Sequence, residues 1–456
     1  MQAVRSLLDA EHLATGRRRA ALIETYGCQQ NEADSDRMRG MLAEMGFAPA
    51  EDRAQADLIL FNTCAIREHA ELRVFGNIGA LKHQKQRNPN LMLGITGCMM
   101  QQPHRVEEIL SKYGQVDFIL GTHTFYLLPG VILGLLQEGR RQALVAERTD
   151  AIPEDLPVRR ESAHKAWVTV MYGCNNFCAY CVVPHTRGRE ISRRPEHILG
   201  EVRGLVLEGC RDITLLGQNV NSYGRDLGGE PDFADLLADI DKIEGDYRLR
   251  FMTSHPKDAT QKLFDAMANS VHVARQLHLP VQSGSDRVLA AMNRRYTAAA
   301  YAELAARARA AMPDLVLTSD IIVGFPGETE QEFEETLALV RALRFDALFT
   351  FAFSRRKNTA AYTMKEQVPK EEKQRRLSRL MEVQQEISLE KNRAHLGQVL
   401  SVLAEGPGKG GLLQGRTEGG KLCYFAGPQC LIGQFAPVRI TEAKTFVLYG
   451  ELSGSH

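Results

Sequence analysis

Residues 166–181 read Ala-Trp-Val-Thr-Val-Met-Tyr-Gly-Cys-Asn-Asn-Phe-Cys-Ala-Tyr-Cys. The first six form an apolar, β-branched run of strand type, and Cys174, Cys178 and Cys181 follow it as a CxxxCxxC triplet. Three thiolates this close together can hold three irons of a cubane cluster and leave the fourth open to a small molecule. The spacing also admits a Cys3His zinc site, because His185 lies four residues beyond Cys181. A ferredoxin-type run would supply a fourth cysteine, and none follows until Cys210.

Working outward, the run at Ala166–Met171 is the first of six. The others are Asp212–Leu216, Arg248–Met252, Gln276–Val281, Leu315–Val323 and Asp346–Ala352, separated by helix-like segments such as Arg194–Gly209 and Glu328–Leu343. This alternation predicts a partial (β/α)6 barrel, with right-handed crossovers bringing every strand's carboxyl end to one mouth. The triplet would stand at the first of those ends. Gln218, Ser254 and Gln282 follow the second, third and fourth strands, with Asn219, His255 and Ser283 as neighbours, and Gly324 ends the fifth. A glycine there would let an adenosine group approach the backbone at a helix start, and Tyr180 could pack against an adenine ring.

Upstream, Ala21–Thr25, Asp57–Asn62, Leu91–Thr96 and Asp117–Leu120 are short β-rich runs separated by helix-length segments, so residues 19–136 predict a small parallel α/β domain. Cys28, Cys64 and Cys98, 36 and 34 residues apart, each stand just past one of these runs. Strand carboxyl ends gather at one edge of such a sheet, so the three thiols should converge there. Cys210, Cys423 and Cys430 have no such arrangement and read as packing residues. A polar, proline-containing stretch at 137–159 reads as a linker, leaving 160–392 for the barrel with a charged closing helix in Lys365–Lys391. Residues 393–456 show short alternating strands with turns such as Glu418-Gly-Gly420 and predict a small all-β barrel.

Composition bounds the rest. The 456 residues carry 56 Lys and Arg against 56 Asp and Glu, so any nucleic-acid surface must come from local clusters. From Lys391 to His456 there are seven Lys/Arg and four Glu, a mild excess of +3. Arg187 and Arg189, and again Arg355, Arg356 and Lys357, are basic groups beyond strand ends that could hold phosphates. Nine cysteines without a secretory signal point to a reduced, cytoplasmic protein. The apolar stretch Leu127–Leu136 is too short to span a bilayer, so no membrane role is expected.

From about residue 19 onward the chain resembles the radical S-adenosylmethionine (SAM) methylthiotransferases. The resemblance rests on Thr25-Tyr-Gly-Cys-Gln-Gln-Asn-Glu-Ala-Asp-Ser35, Phe61-Asn-Thr-Cys-Ala-Ile-Arg-Glu68, Met171-Tyr-Gly-Cys-Asn-Asn-Phe-Cys178, Thr186-Arg-Gly-Arg-Glu190, Leu215–Tyr223, Thr253–Asp258 and His278–Asp286. It implies an amino-terminal methylthiotransferase domain, a radical SAM barrel and a carboxyl-terminal TRAM barrel that helps bind tRNA. It further implies two [4Fe-4S] clusters. The one on Cys174, Cys178 and Cys181 would bind SAM and generate a 5′-deoxyadenosyl radical; the auxiliary one, on Cys28, Cys64 and Cys98, would be associated with the sulfur to be transferred. SAM would thus serve as both radical source and methyl donor, with Tyr180, Gln218, Ser254, Gln282 and Gly324 around it. An external electron donor and a sulfur source would complete the system.

The implied reaction adds a methylthio group to C2 of N6-dimethylallyladenosine beside the tRNA anticodon. That C–H is not acidic, which explains recourse to a radical, and the base could be splayed out of a single-stranded loop. Family alternatives act on threonylcarbamoyladenosine in tRNA or on a ribosomal-protein aspartate; a non-catalytic Fe–S RNA-binding module is the alternative from another class. One stretch departs from the family. Ser354-Arg-Arg-Lys-Asn-Thr-Ala-Ala361 stands where relatives commonly read Ser-Pro-Arg-Pro-Gly-Thr-Pro-Ala, which predicts a less rigid, more basic loop.

Overall fold

The computed structural model describes residues 1–65, 68–147 and 152–454. Ile66 and Arg67 of the Phe61–Glu68 motif, and residues 148–151 of the expected linker, lie outside the described residues. The chain forms two compact units. The first comprises Met1–Glu161, Tyr172–Asn175 and Cys181–Ile191, and the second Ser162–Met171, Asn176–Tyr180 and Ser192–His456.

The first unit begins with α1 (Gln2–Thr15) and continues β1 (Ala20–Thr25), α2 (Gln29–Glu44), β2 (Ala48–Pro49), β3 (Leu58–Thr63), α3 (Glu68–Arg87), β4 (Met92–Gly97), α4 (Pro103–Lys112), β5 (Phe118–Leu120), α5 (Leu128–Glu138) and β6 (Gln142–Leu144). Its sheet runs in the order β2-β1-β3-β4-β5-β6, and every pairing is parallel. β3 and β4 are buried along their whole length, as strands covered on both faces must be. Alternation splits β3 between two cores. Leu58 and Leu60 pack with Val4, Leu8 and Met41, while Ile59 and Phe61 pack with Val74, Ile78 and Ile95. Three elements in this unit were not anticipated: α1, which packs its Val4 and Leu8 into the core, the two-residue edge strand β2, and β6, which adds a sixth strand from within the polar stretch.

The second unit opens with β7 (Lys165–Thr169). The two-residue strands β8 (Met171–Tyr172) and β9 (Ile191–Ser192) bracket the cysteine loop and the single turn α6 (Val183–Thr186), which belongs to the first unit. Then come α7 (Pro195–Leu207), β10 (Asp212–Leu216), α8 (Phe233–Asp241), β11 (Arg248–Phe251), α9 (Gln261–Asn269), β12 (Gln276–His278), α10 (Asp286–Ala291), α11 (Ala298–Ala311), β13 (Val316–Val323), α12 (Glu330–Leu343), β14 (Ala347–Ala352) and α13 (Lys370–Arg393). The strands form two parallel halves, β11-β10-β7 and β12-β13-β14, linked by the parallel bridge Leu249–Val273. This is the expected six-stranded partial barrel, with one apolar core running from Ala166 to Ile387.

β15 (Val399–Pro407), β16 (Leu413–Thr417), β17 (Leu422–Ala426), β18 (Phe435–Ala443) and β19 (Leu448–Leu452) close into a small barrel in the order β15-β16-β17-β19-β18. It is moored to the larger barrel by Arg250, which donates to the Thr417 and Glu418 carbonyls at 2.9 and 2.7 Å while paired with Asp212. Cys210 and Cys423 pack in cores, but Cys430 is exposed, contrary to its reading as a packing residue.

Candidate functional site

In the first unit β1, β3 and β4 are adjacent in the sheet, and their carboxyl ends carry the three cysteines. Cys28 sits at the amino end of α2, Cys64 directly follows β3, and Cys98 opens a 3-10 turn after β4. Asn31 gathers two of them: its Oδ1 lies 3.7 Å from Cys28 Sγ and 4.0 Å from Cys98 Sγ. Gly27 brings in the third, for a Cβ on it would stand 2.8 Å from Cys64 Cβ and 3.2 Å from its sulfur. Asn31 cannot turn away. Its Nδ2 donates to the Tyr26 and Thr63 carbonyls at 3.1 and 3.0 Å, which fixes Oδ1 toward the sulfurs.

Arg187, expected to hold a tRNA phosphate, does not reach solvent. It is 3% exposed, with Nε 3.2 Å from Cys98 Sγ, Nη1 2.7 Å from Asp34 Oδ2 and Nη2 2.9 Å from Asn31 Oδ1. A buried guanidinium needs a compensating anion, and Asp34 supplies it from one helical turn beyond Asn31. Burial opposes its charge, but Asp34 and the cysteine sulfurs hold its pKa well above the usual value. Burial pushes the Cys98 thiol up, with Arg187 pulling it down. His123 is buried beside this group, kept below its usual pKa by burial and then by Arg187. Arg189 is exposed.

Of the triplet, Cys174 and Cys181 belong to the first unit and Cys178 to the second. Cys174 is buried, its amide donating to the Gly188 carbonyl at 3.1 Å. In the second unit Cys178 receives Nη1 of the buried Arg294 at 3.3 Å. That guanidinium also donates to Pro280 O and Tyr296 OH, at 2.7 Å each. Among the described residues, no three His, Cys, Asp or Glu side chains are grouped tightly enough to hold a metal ion.

At the barrel's strand ends, buried polar atoms collect without partners among the described residues: Gln218 Oε1, Asn219 Oδ1, Ser254 Oγ and Gln282 Oε1. Leaving buried acceptors unmade costs about 1–3 kcal/mol each, so a cluster of them marks a place built for a polar ligand. Thr253 and Gln282 add backbone strain, with φ of +68° and +74°. His255, whose Nδ1 accepts from the Lys257 amide, is pushed down to about 2 by burial, then by Arg294, Lys257 and Arg225. Tyr180 is half-buried against a cluster that includes Ala179, Met292 and Phe325.

Gly324, expected beside an adenosine group, is constrained by its own surroundings. It adopts φ +70°, a Cβ would meet Lys373 Cγ at 2.4 Å, and its amide is taken by Glu328 Oε2 at 2.6 Å. The left-handed backbone and the packing of Lys373 favour glycine at this position. Arg355 and Lys357 are exposed and Arg356 half-buried. Despite lacking prolines, their loop is pinned: the Ala361 amide donates to Ala179 O at 2.8 Å, and Thr359 Oγ1 to Arg356 O at 2.7 Å.

Family models match three segments: the radical SAM superfamily at residues 168–340, an uncharacterized protein family, UPF0004, at 20–121, and the TRAM domain at 393–453. The tRNA-2-methylthio-N(6)-dimethylallyladenosine synthase of Thermoanaerobacter sp. (strain X514) is 50% identical over 432 residues, 94% of this chain and 92% of that protein. Its counterpart from Carboxydothermus hydrogenoformans is 49% identical over 432 residues, 94% of this chain and 98% of that protein. This chain belongs to the tRNA-2-methylthio-N(6)-dimethylallyladenosine synthase family. Among solved structures, the radical SAM methyltransferase TsrM from Kitasatospora setae aligns with a TM-score of 0.55 at 14% identity, over 75% of this chain and 74% of that one. The cobalamin-dependent radical SAM enzyme OxsB aligns at 0.51 and 14%, over 82% and 57%. These two likenesses concern the fold.

The family's cofactors, two [4Fe-4S] clusters and SAM, fit what the chain offers. Soft thiolates suit iron–sulfur clusters, and the unpartnered amides and hydroxyl at the strand ends suit a zwitterionic, ribose-bearing ligand. Asn31 and Asp34 escaped the sequence reading although they repeat at i+3 and i+6 from Cys28, one helical face. Arg294 carried no signal, being one of two adjacent arginines in a turn.

Proposed function

We propose that this chain transfers a methylthio group to C2 of N6-dimethylallyladenosine next to the anticodon of tRNA. Near-full-length identity of about half to enzymes of that name supports this reading most strongly. In it, Cys174, Cys178 and Cys181 ligate the SAM-binding cluster, and Cys28, Cys64 and Cys98 the auxiliary one. When bound, clusters and SAM supply radical abstraction at an unactivated C–H and the sulfur and methyl of the new group.

The chain's own residues do the positioning. Gln218, Ser254 and Gln282 offer their unpartnered polar atoms to SAM, and Tyr180 supplies a ring face nearby. Gly324, with its left-handed backbone, lets the chain turn at the end of β13 beside them. His255 is held neutral by burial and by the surrounding cations; with Nδ1 accepting from the Lys257 amide, its proton sits on Nε2, which can donate a hydrogen bond without adding charge. Arg189, Arg355, Arg356 and Lys357 contact phosphates, and the carboxyl-terminal barrel, of TRAM type, adds RNA surface. An external electron donor and a sulfur source complete the system. Among the described residues no helix is long and apolar enough to cross a membrane, and we place the protein in the cytoplasm with its tRNA.

Mass spectrometry of nucleosides from tRNA treated with the reconstituted enzyme, SAM and reductant tests this. Appearance of 2-methylthio-N6-dimethylallyladenosine is expected. Modification of threonylcarbamoyladenosine instead would reject the substrate, and no 5′-deoxyadenosine at all would reject the chemistry.

A further inference from the structure

We infer that Arg187 is a positioning residue of the auxiliary cluster, donating a charged hydrogen bond to the Cys98 sulfur and so setting the cluster's reduction potential. The inference rests on the reading of Cys28, Cys64 and Cys98 as cluster ligands.

The geometry separates Arg187 from an ordinary buried ion pair. Pairing with Asp34 needs one edge of the guanidinium, and Nη1 at 2.7 Å satisfies it. The other two nitrogens are spent on the site: Nη2 on Asn31 Oδ1 at 2.9 Å and Nε on Cys98 Sγ at 3.2 Å. Three acceptors on three sides fix the plane of a group whose donors form a rigid fork. Asn31 is itself clamped by main-chain carbonyls and lies within 4.0 Å of the sulfurs of both Cys28 and Cys98. One arginine therefore braces the residue that spaces two thiols and directly touches one of them. Donation to a ligating sulfur withdraws electron density from iron, and outer hydrogen bonds of this kind are a principal lever on cluster potential.

The test uses the full-length chain with Cys174, Cys178 and Cys181 replaced by alanine, reconstituted so that any cluster is the auxiliary one. EPR-monitored redox titration is run on this parent and on the same chain carrying Arg187→Met or Arg187→Lys. We expect the midpoint to move to more negative potential in Arg187→Met at unchanged iron and sulfide per chain, with partial recovery in Arg187→Lys. Because removing the guanidinium leaves Asp34 buried and unpaired, Arg187→Met with Asp34→Asn serves if the single variant fails to fold. A further readout needs no variant at position 187: in the parent grown on 15N-arginine, pulsed EPR of the reduced cluster should show 15N coupling from Nε. An unmoved midpoint in the folded variants, or absent 15N coupling, overturns the inference. A parent that binds no cluster overturns the reading beneath it instead.

Discussion

Gly27→Ala should loosen the first unit at the carboxyl end of its central strands. Gly27 has φ +139°, where an L side chain is strained, and the added methyl would meet Cys64 Cβ at 2.8 Å, Cys64 Sγ at 3.2 Å and Asn31 Nδ2 at 3.2 Å. Backbone strain costs about 1–3 kcal/mol, and forcing apart a packed site costs about 1–3 kcal/mol more. The expected loss, about 2–6 kcal/mol, is a large share of the about 5–15 kcal/mol that holds a domain together. The single tryptophan, Trp167, lies in the second unit and would not report the change. Hydrogen exchange on peptides covering β3 and β4 would, and a loss of about 2 kcal/mol lowers protection there roughly thirtyfold. Iron bound after reconstitution should fall as well, because Cys64 is pushed from its place. Protection within a factor of about two of the parent, with iron unchanged, would refute the claim that this glycine is what lets Cys64 approach Asn31.

Alanine at Cys28, Cys64 or Cys98 should abolish methylthiolation yet leave 5′-deoxyadenosine production from SAM; alanine at Cys174, Cys178 or Cys181 should abolish both, each read by chromatography of the products. His255 makes the second unit acid-sensitive. Its folded pKa is depressed to about 2, so on acidification the unfolded chain takes up a proton near pH 6.5 that the folded chain refuses. Stability is therefore lost as pH falls, about 2 kcal/mol between pH 7 and 5, and urea titrations followed by Trp167 fluorescence should show that loss shrinking in His255→Asn. Arg355→Ala with Lys357→Ala should weaken tRNA binding across sequences and reduce the salt dependence of log K, by about 0.7–0.9 for each phosphate contact removed.

Much of this architecture is legible in the chain because parallel strands buried on both faces must be continuously apolar. Leu58–Phe61, apolar and buried throughout, stands out for that reason, and each barrel strand falls within a few residues of its expected bounds. Strand-end chemistry is legible too, since a parallel sheet gathers the residues just past its strands along one edge, as with Cys28, Cys64 and Cys98. The features that escaped sequence reasoning depend on distant partners. Arg187 reads as part of a solvated basic run until Asp34, 153 positions away, is seen to neutralise it. The packing of Lys373, from α13, against Gly324 likewise shows only when the distant helix is in place. β6 is three residues of ordinary polarity, paired with the edge of β5 and held by Thr124 Oγ1, which donates to Leu144 O.

The first unit is not finished when its sheet is. Tyr172–Asn175 and Cys181–Ile191 belong to it, although β7 of the other unit is made before them. During synthesis the ribosome therefore delivers Asp34, Asn31 and all three strand-end thiols well before the arginine that compensates them. A nascent or truncated chain ending near Glu161 lacks the guanidinium that pairs with Asp34 in the folded protein. Maturation of this end of the sheet has to wait for translation to pass residue 187.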